Sequence, residues 1–261
     1  MRLASRQRGD PALPALVCLH GVTSHARHFE RLALRLQDRF NVVALDLRGH
    51  ADSAWEPPWH LEQHVADALE SAPGGRSTWL GHSFGARVAF EAAAASPERV
   101  ERLVLLDPAI HIHPAVGLHA AENARRERSY ASFEEAIDRR YEESVLKRAP
   151  RGLLEEELRE HLVEHEDGRW RYRYSQSAVV AAYGEMSRQP TAFERVRVPT
   201  LLVLGEESYL PYDHLLDAHG AALGDELRVH RVPGGHTVLW DALEETAAAV
   251  DAFLGGRSDE T

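Results

Sequence analysis

A chain of 261 residues, 44% hydrophobic and 27% charged, is long enough to bury one substantial core and to carry an insertion. Its formal net charge of −11 argues against a phosphate backbone or an anionic membrane as the main partner, since both need clustered cationic charge. No apolar run approaches the ~20 residues that cross a bilayer, and residues 1–10 lack the apolar centre of a signal peptide, so the expected location is the cytoplasm.

In chain order, Ala15-Leu-Val-Cys-Leu19 is a short apolar run that reads as a buried strand leading into the loop His20-Gly21-Val22-Thr23-Ser24. Cys18, the only cysteine, excludes an internal disulfide and reads as a small buried hydrophobe. Residues 26–38 have helical spacing, with Phe29, Leu32, Ala33 and Leu36 on one face. Asn41-Val-Val-Ala-Leu-Asp46 is a second buried strand, and Trp55-Glu-Pro-Pro-Trp59 is barred from regular structure by its prolines. A helix over 61–71 stops at Pro73-Gly-Gly75.

The stretch that organises the rest is Ser77-Thr-Trp-Leu-Gly81-His82-Ser83-Phe84-Gly85, a strand-like run that turns at G-x-S-x-G into an alanine-rich helix ending at Ser96-Pro97. Glycine is needed on both sides of such a turn, because strand and helix come too close for flanking β-carbons. Arg102-Leu-Val-Leu-Leu-Asp107-Pro108 is a fourth strand, and two more follow in 198–205 and 227–233. Strands alternating with helices predict an α/β protein with a doubly wound, mostly parallel sheet.

Several separated motifs in one order carry a resemblance. His20-Gly21, Asp46-Leu-Arg-Gly-His50, Gly81-His-Ser83-Phe-Gly85 and Gly234-Gly-His236 span nearly all of the chain, which resembles α/β-hydrolase fold proteins of the serine esterase and lipase type. The fold implied has about six to seven strands here, because only about a dozen residues precede Leu16, where relatives place an antiparallel strand pair. The expected core is residues 1–108 and 196–261, with 109–195 inserted as a helical cap. In that segment Ser132–Leu146 and Leu153–Val163 have helix-like spacing. Ala51 stands where relatives often have glycine, which predicts a local difference in that turn.

The chemistry needs a base beside the serine, donors for an oxyanion and a carboxylate behind the base. Among 16 histidines, His236 is the candidate base, on a flexible loop after the last strand. The resemblance assigns the oxyanion donors to the N–H groups of Val22 and Phe84. The acid is open: many relatives place it in G-x-x-D after the penultimate strand, but here the stretch reads Gly205-Glu206-Glu207-Ser208. Asp107, at the end of the preceding strand, is the favoured acid, with Glu206 or Glu207 next and Asp213 or none last.

The implied function is hydrolysis of a carboxylic ester or similar acyl bond of a small to medium apolar substrate through an acyl-enzyme, with no cofactor and no metal. A carbon–carbon bond hydrolase, a thioesterase or a perhydrolase would use the same three groups. The unfilled G-x-x-D position also admits a hydrolase-fold ligand-binding protein with little turnover. His161-Leu-Val-Glu164-His165 matches H-x-x-E-H, but in a strongly charged helix it reads as a solvated face. Gly168-Arg-Trp170-Arg-Tyr172-Arg-Tyr174 reads as packing along a strand-like edge and not as a nucleic-acid surface. His111-Ile-His113 reads as loop structure, and Trp55, Trp59, Tyr130 and Tyr209 are candidate pocket aromatics. The expected partner is a small-molecule ester, with neither nucleic acid nor membrane, and the expected state is a monomer or weak homo-oligomer.

Overall fold

Five strands of continuous apolar sequence can bury both faces at once, and they form the middle of the sheet. The computed structural model describes residues 1–126, 128–142 and 149–255. Its main sheet contains β1 (Ser5–Arg8), β2 (Ala15–Leu19), β3 (Asn41–Leu45), β4 (Ser77–His82), β5 (Val100–Leu106), β9 (Thr200–Gly205) and β10 (Leu227–Val232), in the order β1-β3-β2-β4-β5-β9-β10. All neighbours are parallel except β1, which runs antiparallel to β3. This is the α/β-hydrolase sheet, with seven strands. The two edge strands, Ser-Arg-Gln-Arg and Leu-Arg-Val-His-Arg-Val, are polar and mostly exposed, which blunts edge-to-edge pairing.

Alternation along each strand divides the core in two. Leu16 and Cys18 of β2 face one layer, with α1 (Glu30–Leu36) and the C-terminal helix Leu243–Gly255, while Val17 and Leu19 face the other, with α2 (Leu61–Ser71) and α3 (Phe84–Ala95). Burial pushes the Cys18 thiol pKa up, in keeping with an inert core position. The chain passes from β2 outward to β3 and then back across β2 to β4, so a crevice opens at the carboxyl ends of β2 and β4. His20-Gly21 and Ser83 lie at those two ends.

Between β5 and β9 lie α4 (Pro114–Ala124), β6 (Ser129–Tyr130), α5 (Phe133–Glu142), α6 (Arg151–His161), β7 (Leu162–Glu164), β8 (Trp170–Tyr172) and α7 (Gln176–Met186). The segment is thus not purely helical, because β6, β8 and β7 form a small antiparallel sheet. The helix expected to reach Val163 stops at His161, since Leu162 to Glu164 pair with Tyr172 to Trp170 across a turn at Gly168, whose φ is 72°. The end of the helix expected over 132–146 lies outside the described residues. Helix 26–38 begins as a 3-10 turn, Ala26–Phe29, before α1.

Arg87 of α3, 1% exposed, holds both roots of this segment: its guanidinium donates to the carbonyls of Ile110, Arg188 (3.2 Å) and Gln189 (3.1 Å) and to Glu91 Oε1 (3.0 Å). Among the described residues no helix is long and apolar enough to cross a membrane.

Candidate active site

Ser83 sits between β4 and α3 with φ 54° and ψ −117°, a conformation that costs a residue with a β-carbon about 1–3 kcal/mol. A β-carbon on Gly81 would stand 2.4 Å from Ala86 Cα, and one on Gly85 would stand 2.1 Å from Leu19 O, so both glycines are required by close approach. The turn is closed by Ser83 N–H donating to Leu106 O (3.1 Å) and by Ala86, Arg87 and Ala109 N–H donating to Ser83 O. Its side chain opens on a cavity of about 240 Å³.

The loop after β2 is set by a histidine. Leu47 N–H donates to His20 Nε2 (2.9 Å), so the ring proton is on Nδ1, which donates to Gly21 O (2.8 Å). Because the trans peptide is planar, fixing the Gly21 carbonyl aims the Val22 N–H the opposite way. Phe84 N–H is the first of helix α3, where amide donors have no partner inside the helix. Among the described residues, neither the Val22 nor the Phe84 N–H has an acceptor. His50 contacts Val22 O at 2.8 Å, and Ala51 keeps the left-handed turn with φ 44° despite its β-carbon.

His236 follows β10 on a loop anchored by Gly235 N–H to Asp241 Oδ2 (2.8 Å). Its Nδ1 donates to Asp107 Oδ2 at 2.6 Å, which leaves Nε2 of the neutral ring as the basic nitrogen. Asp107, 1% exposed with φ 37°, is saturated: Oδ1 accepts Gly205 N–H (2.9 Å), and Oδ2 also accepts the Ser208 hydroxyl. The serine that stands in the G-x-x-D position therefore donates to the carboxylate on the neighbouring strand. His82 lies against His236, ring centres 4.8 Å apart, and its Nε2–H donates to His236 O (2.9 Å). Burial and the adjacent His236 lower the His82 pKa to about 3, so this donor stays neutral. Ser83 and His236 line the same cavity. A hydroxyl, an imidazole with a free basic nitrogen and a buried carboxylate can together move a proton away from an attacking oxygen.

The residues matched by the alpha/beta hydrolase family model run from 16 to 249. The chain belongs to this family. The hydrolase is 34% identical over 257 residues to "Lipase LipV" of Mycobacterium tuberculosis, covering 96% of this chain and 97% of that protein. It is 30% identical over 264 residues to "2-(acetamidomethylene)succinate hydrolase" of Mesorhizobium japonicum, covering 95% and 90%. A solved structure, "Crystal Structure of E-2-(Acetamidomethylene)succinate Hydrolase", superposes with a TM-score of 0.84 at 25% identity, covering 97% of this hydrolase and 95% of that chain.

Other sequence candidates fall elsewhere in the hydrolase. Glu206 and Glu207 are exposed, and Asp213 pairs with Arg231 (2.7 Å) at the surface. His161 is buried with its Nε2 3.1 Å from Thr23 O, whereas Glu164 and His165 are exposed, and among the described residues no group of three or more His, Cys, Asp or Glu side chains could hold a metal. His113 accepts Ala115 N–H (3.2 Å) and caps α4. Of the four aromatics, Tyr209 borders the cavity and sits 4.9 Å from the His236 ring, while Trp55 lines a separate cleft. Sequence reasoning did not find His28, Ser24 or Glu157, which also line the cavity. No motif marks them.

Proposed function

We infer that this hydrolase cleaves a carboxylic ester, or a similar acyl bond, of a small to medium substrate through an acyl-enzyme on Ser83. His236 Nε2 takes the hydroxyl proton as Ser83 Oγ attacks the carbonyl carbon, and the N–H groups of Val22 and Phe84 donate to the oxyanion, a single such donor being worth ~10²–10³ in rate. The imidazolium then protonates the departing alkoxide as the carbon–oxygen bond breaks. Water, deprotonated by the same ring, attacks the acyl-enzyme, and collapse returns the proton to Ser83 and frees the acid. Asp107 remains a carboxylate throughout, holding the ring and offsetting its positive charge. In this reading residues 109–195 act as a cap that excludes water from the cavity, and the protein works as a monomer or weak homo-oligomer in the cytoplasm.

The observation that carries the proposal is the 2.6 Å bond between His236 and a buried Asp107, in a cavity shared with Ser83. The similarity to a lipase supports ester substrates. The test is steady-state hydrolysis of p-nitrophenyl butyrate by the intact protein and by Ser83→Ala. The expected loss is roughly 10⁴-fold or more in kcat. Equal rates would discard catalysis by Ser83 and favour a ligand-binding role.

A further inference from the structure

Buried polar atoms nearly always have a hydrogen-bond partner, because leaving one unpaired costs about 1–3 kcal/mol. In this protein several unpartnered ones gather on one wall of the cavity over Ser83. Ser24 Oγ, both ring nitrogens of His28 and Glu157 Oε2 are buried with no partner among the described residues, and all three side chains line that cavity. His28 is 6% exposed and the Glu157 side chain 9%.

The wall is built and not incidental. Ser24 and His28 lie just beyond Val22, on a turn pinned by Ala26 N–H donating to Asp46 Oδ1 (2.7 Å). The His28 ring stacks on His82 at 4.9 Å and lies 5.5 Å from Trp240. Glu157 reaches in from α6, its Oε1 3.6 Å from His25 Nε2, and His25 is itself stacked on His161 at 4.6 Å. The remaining lining mixes apolar side chains, Ile112, Val116, Ala120, Met186 and Leu210, with the polar Thr23, His82 and Thr237, and His82 Nδ1 and Thr237 Oγ1 are also buried without a partner among the described residues.

The donors and acceptors of Ser24, His28 and Glu157 define what would pair with them. Burial and neighbouring His82 hold the His28 pKa well below its ordinary value, so the ring offers one N–H and one lone pair. Ser24 both donates and accepts, and the Glu157 carboxylate only accepts. A hydrocarbon chain would leave all three unpaired, and a carboxylate on the substrate would meet Glu157, although Arg128 and Arg140, each with interactions of its own, also border the cavity.

We propose that Ser24, His28 and Glu157 form a subsite for a neutral hydrogen-bonding group on the substrate, a hydroxyl in the first instance, so that the site prefers hydroxylated esters to plain alkyl esters. The proposal deepens the ester-hydrolase reading, and its test separates the two. Calorimetry on the Ser83→Ala protein compares 1-monobutyrin with n-propyl butyrate for the alcohol side, and ethyl 3-hydroxybutyrate with ethyl butyrate for the acyl side. In at least one pair the hydroxylated ester should bind about tenfold tighter, a preference of the size one or two good hydrogen bonds supply. That ratio should collapse toward unity when Glu157→Leu or His28→Phe is added. Ser24→Ala, the smallest change, serves where either fails to fold, as judged by melting followed with circular dichroism.

Equal affinity within both pairs, no measurable binding of any of the four, tighter binding of monoethyl succinate than of the hydroxylated esters, or an unchanged ratio in the variants would overturn the subsite. Failure of Ser83 as nucleophile would show separately, as equal rates from the intact and Ser83→Ala proteins.

Discussion

Adjacent strands β4 and β5 are each followed directly by a residue other than glycine with positive φ, Ser83 at 54° and Asp107 at 37°, yet the two side chains are held in different ways. Ser83 is fixed by its backbone, through Leu106 O on one side and the N–H groups of Ala86, Arg87 and Ala109 on the other, while its hydroxyl makes no hydrogen bond to a described residue. Asp107, whose N–H also donates to Val203 O (2.7 Å), is fixed in addition by its side chain, whose two oxygens accept Gly205 N–H, the Ser208 hydroxyl and His236 Nδ1–H. The difference has a chemical sense. An attacking oxygen must stay open to substrate, whereas a carboxylate that orients a ring works best when every donor around it is already in place.

The comparison breaks most visibly at the acid. Asp107→Asn should lower kcat on p-nitrophenyl butyrate by about 10³–10⁴, the scale expected when the orienting carboxylate of such a site is lost, while Glu206→Gln and Glu207→Gln stay within about twofold. Full activity in Asp107→Asn, with loss in a glutamate variant, would move the acid to the other turn. At the serine turn the sensitive positions are backbone. Gly85→Ala drives a β-carbon against Leu19 O, 2.1 Å away, and should cost at least about 3 kcal/mol in urea unfolding. A cost under about 1 kcal/mol would mean the turn is looser than drawn.

Two buried histidines near the site, His64 against Phe84 and His82 against His236, fold uncharged. Burial, with the electrostatic influence of His50 on one and of His236 on the other, lowers the pKa of His64 and His82 to about 3, against about 6.5 in an unfolded chain. Below pH 6.5 the unfolded chain therefore binds more protons, so stability is complete above that pH and declines as pH falls toward 3. One such ring costs about 2 kcal/mol at pH 5, which predicts a melting temperature at least about 4 °C lower at pH 5 than at pH 7.5. A flat profile over that range would contradict neutral burial. The smallest expected effect is Ser208→Ala, which strips one of three donors from Asp107 and should reduce kcat about tenfold with KM nearly unchanged.

The serine turn was legible because its constraint is local. Gly81 and Gly85 are forced by contacts within a few residues of Ser83 and with the strand beside it, so the pattern G-x-S-x-G records the geometry directly. The sequence favours Asp107 without excluding Glu206, Glu207 or Asp213, because which carboxylate meets His236 depends on the register of β5 against β9, where Leu106 lies opposite Val203, and no short pattern encodes that pairing. Ser208 reads in sequence as an acid gone missing, and its donor role exists only because Asp107 arrives from the next strand. β1 escaped notice because Ser-Arg-Gln-Arg has no apolar alternation, as befits an exposed edge. In the small sheet at 129–172 the strand-like edge at 168–174 is legible and becomes β8, but β7 is hidden for a different reason: it continues directly from α6, and tertiary pairing with β8 overrides its helical spacing. Glu157 is one of many charges on α6, and only folding reveals which of them turns inward.

Arg87 has a consequence for how this protein can change over evolutionary time. Its single guanidinium fastens Ile110 at one end of the segment between β5 and β9, and Arg188 and Gln189 at the other, to the helix that follows Ser83. With its ends clamped, the stretch between them behaves energetically as a closed loop, and doubling the length of such a loop costs only about 0.6 kcal/mol. The stretch between them can therefore grow, shrink or be rewritten at little thermodynamic expense while the turn that holds Ser83 stays as it is.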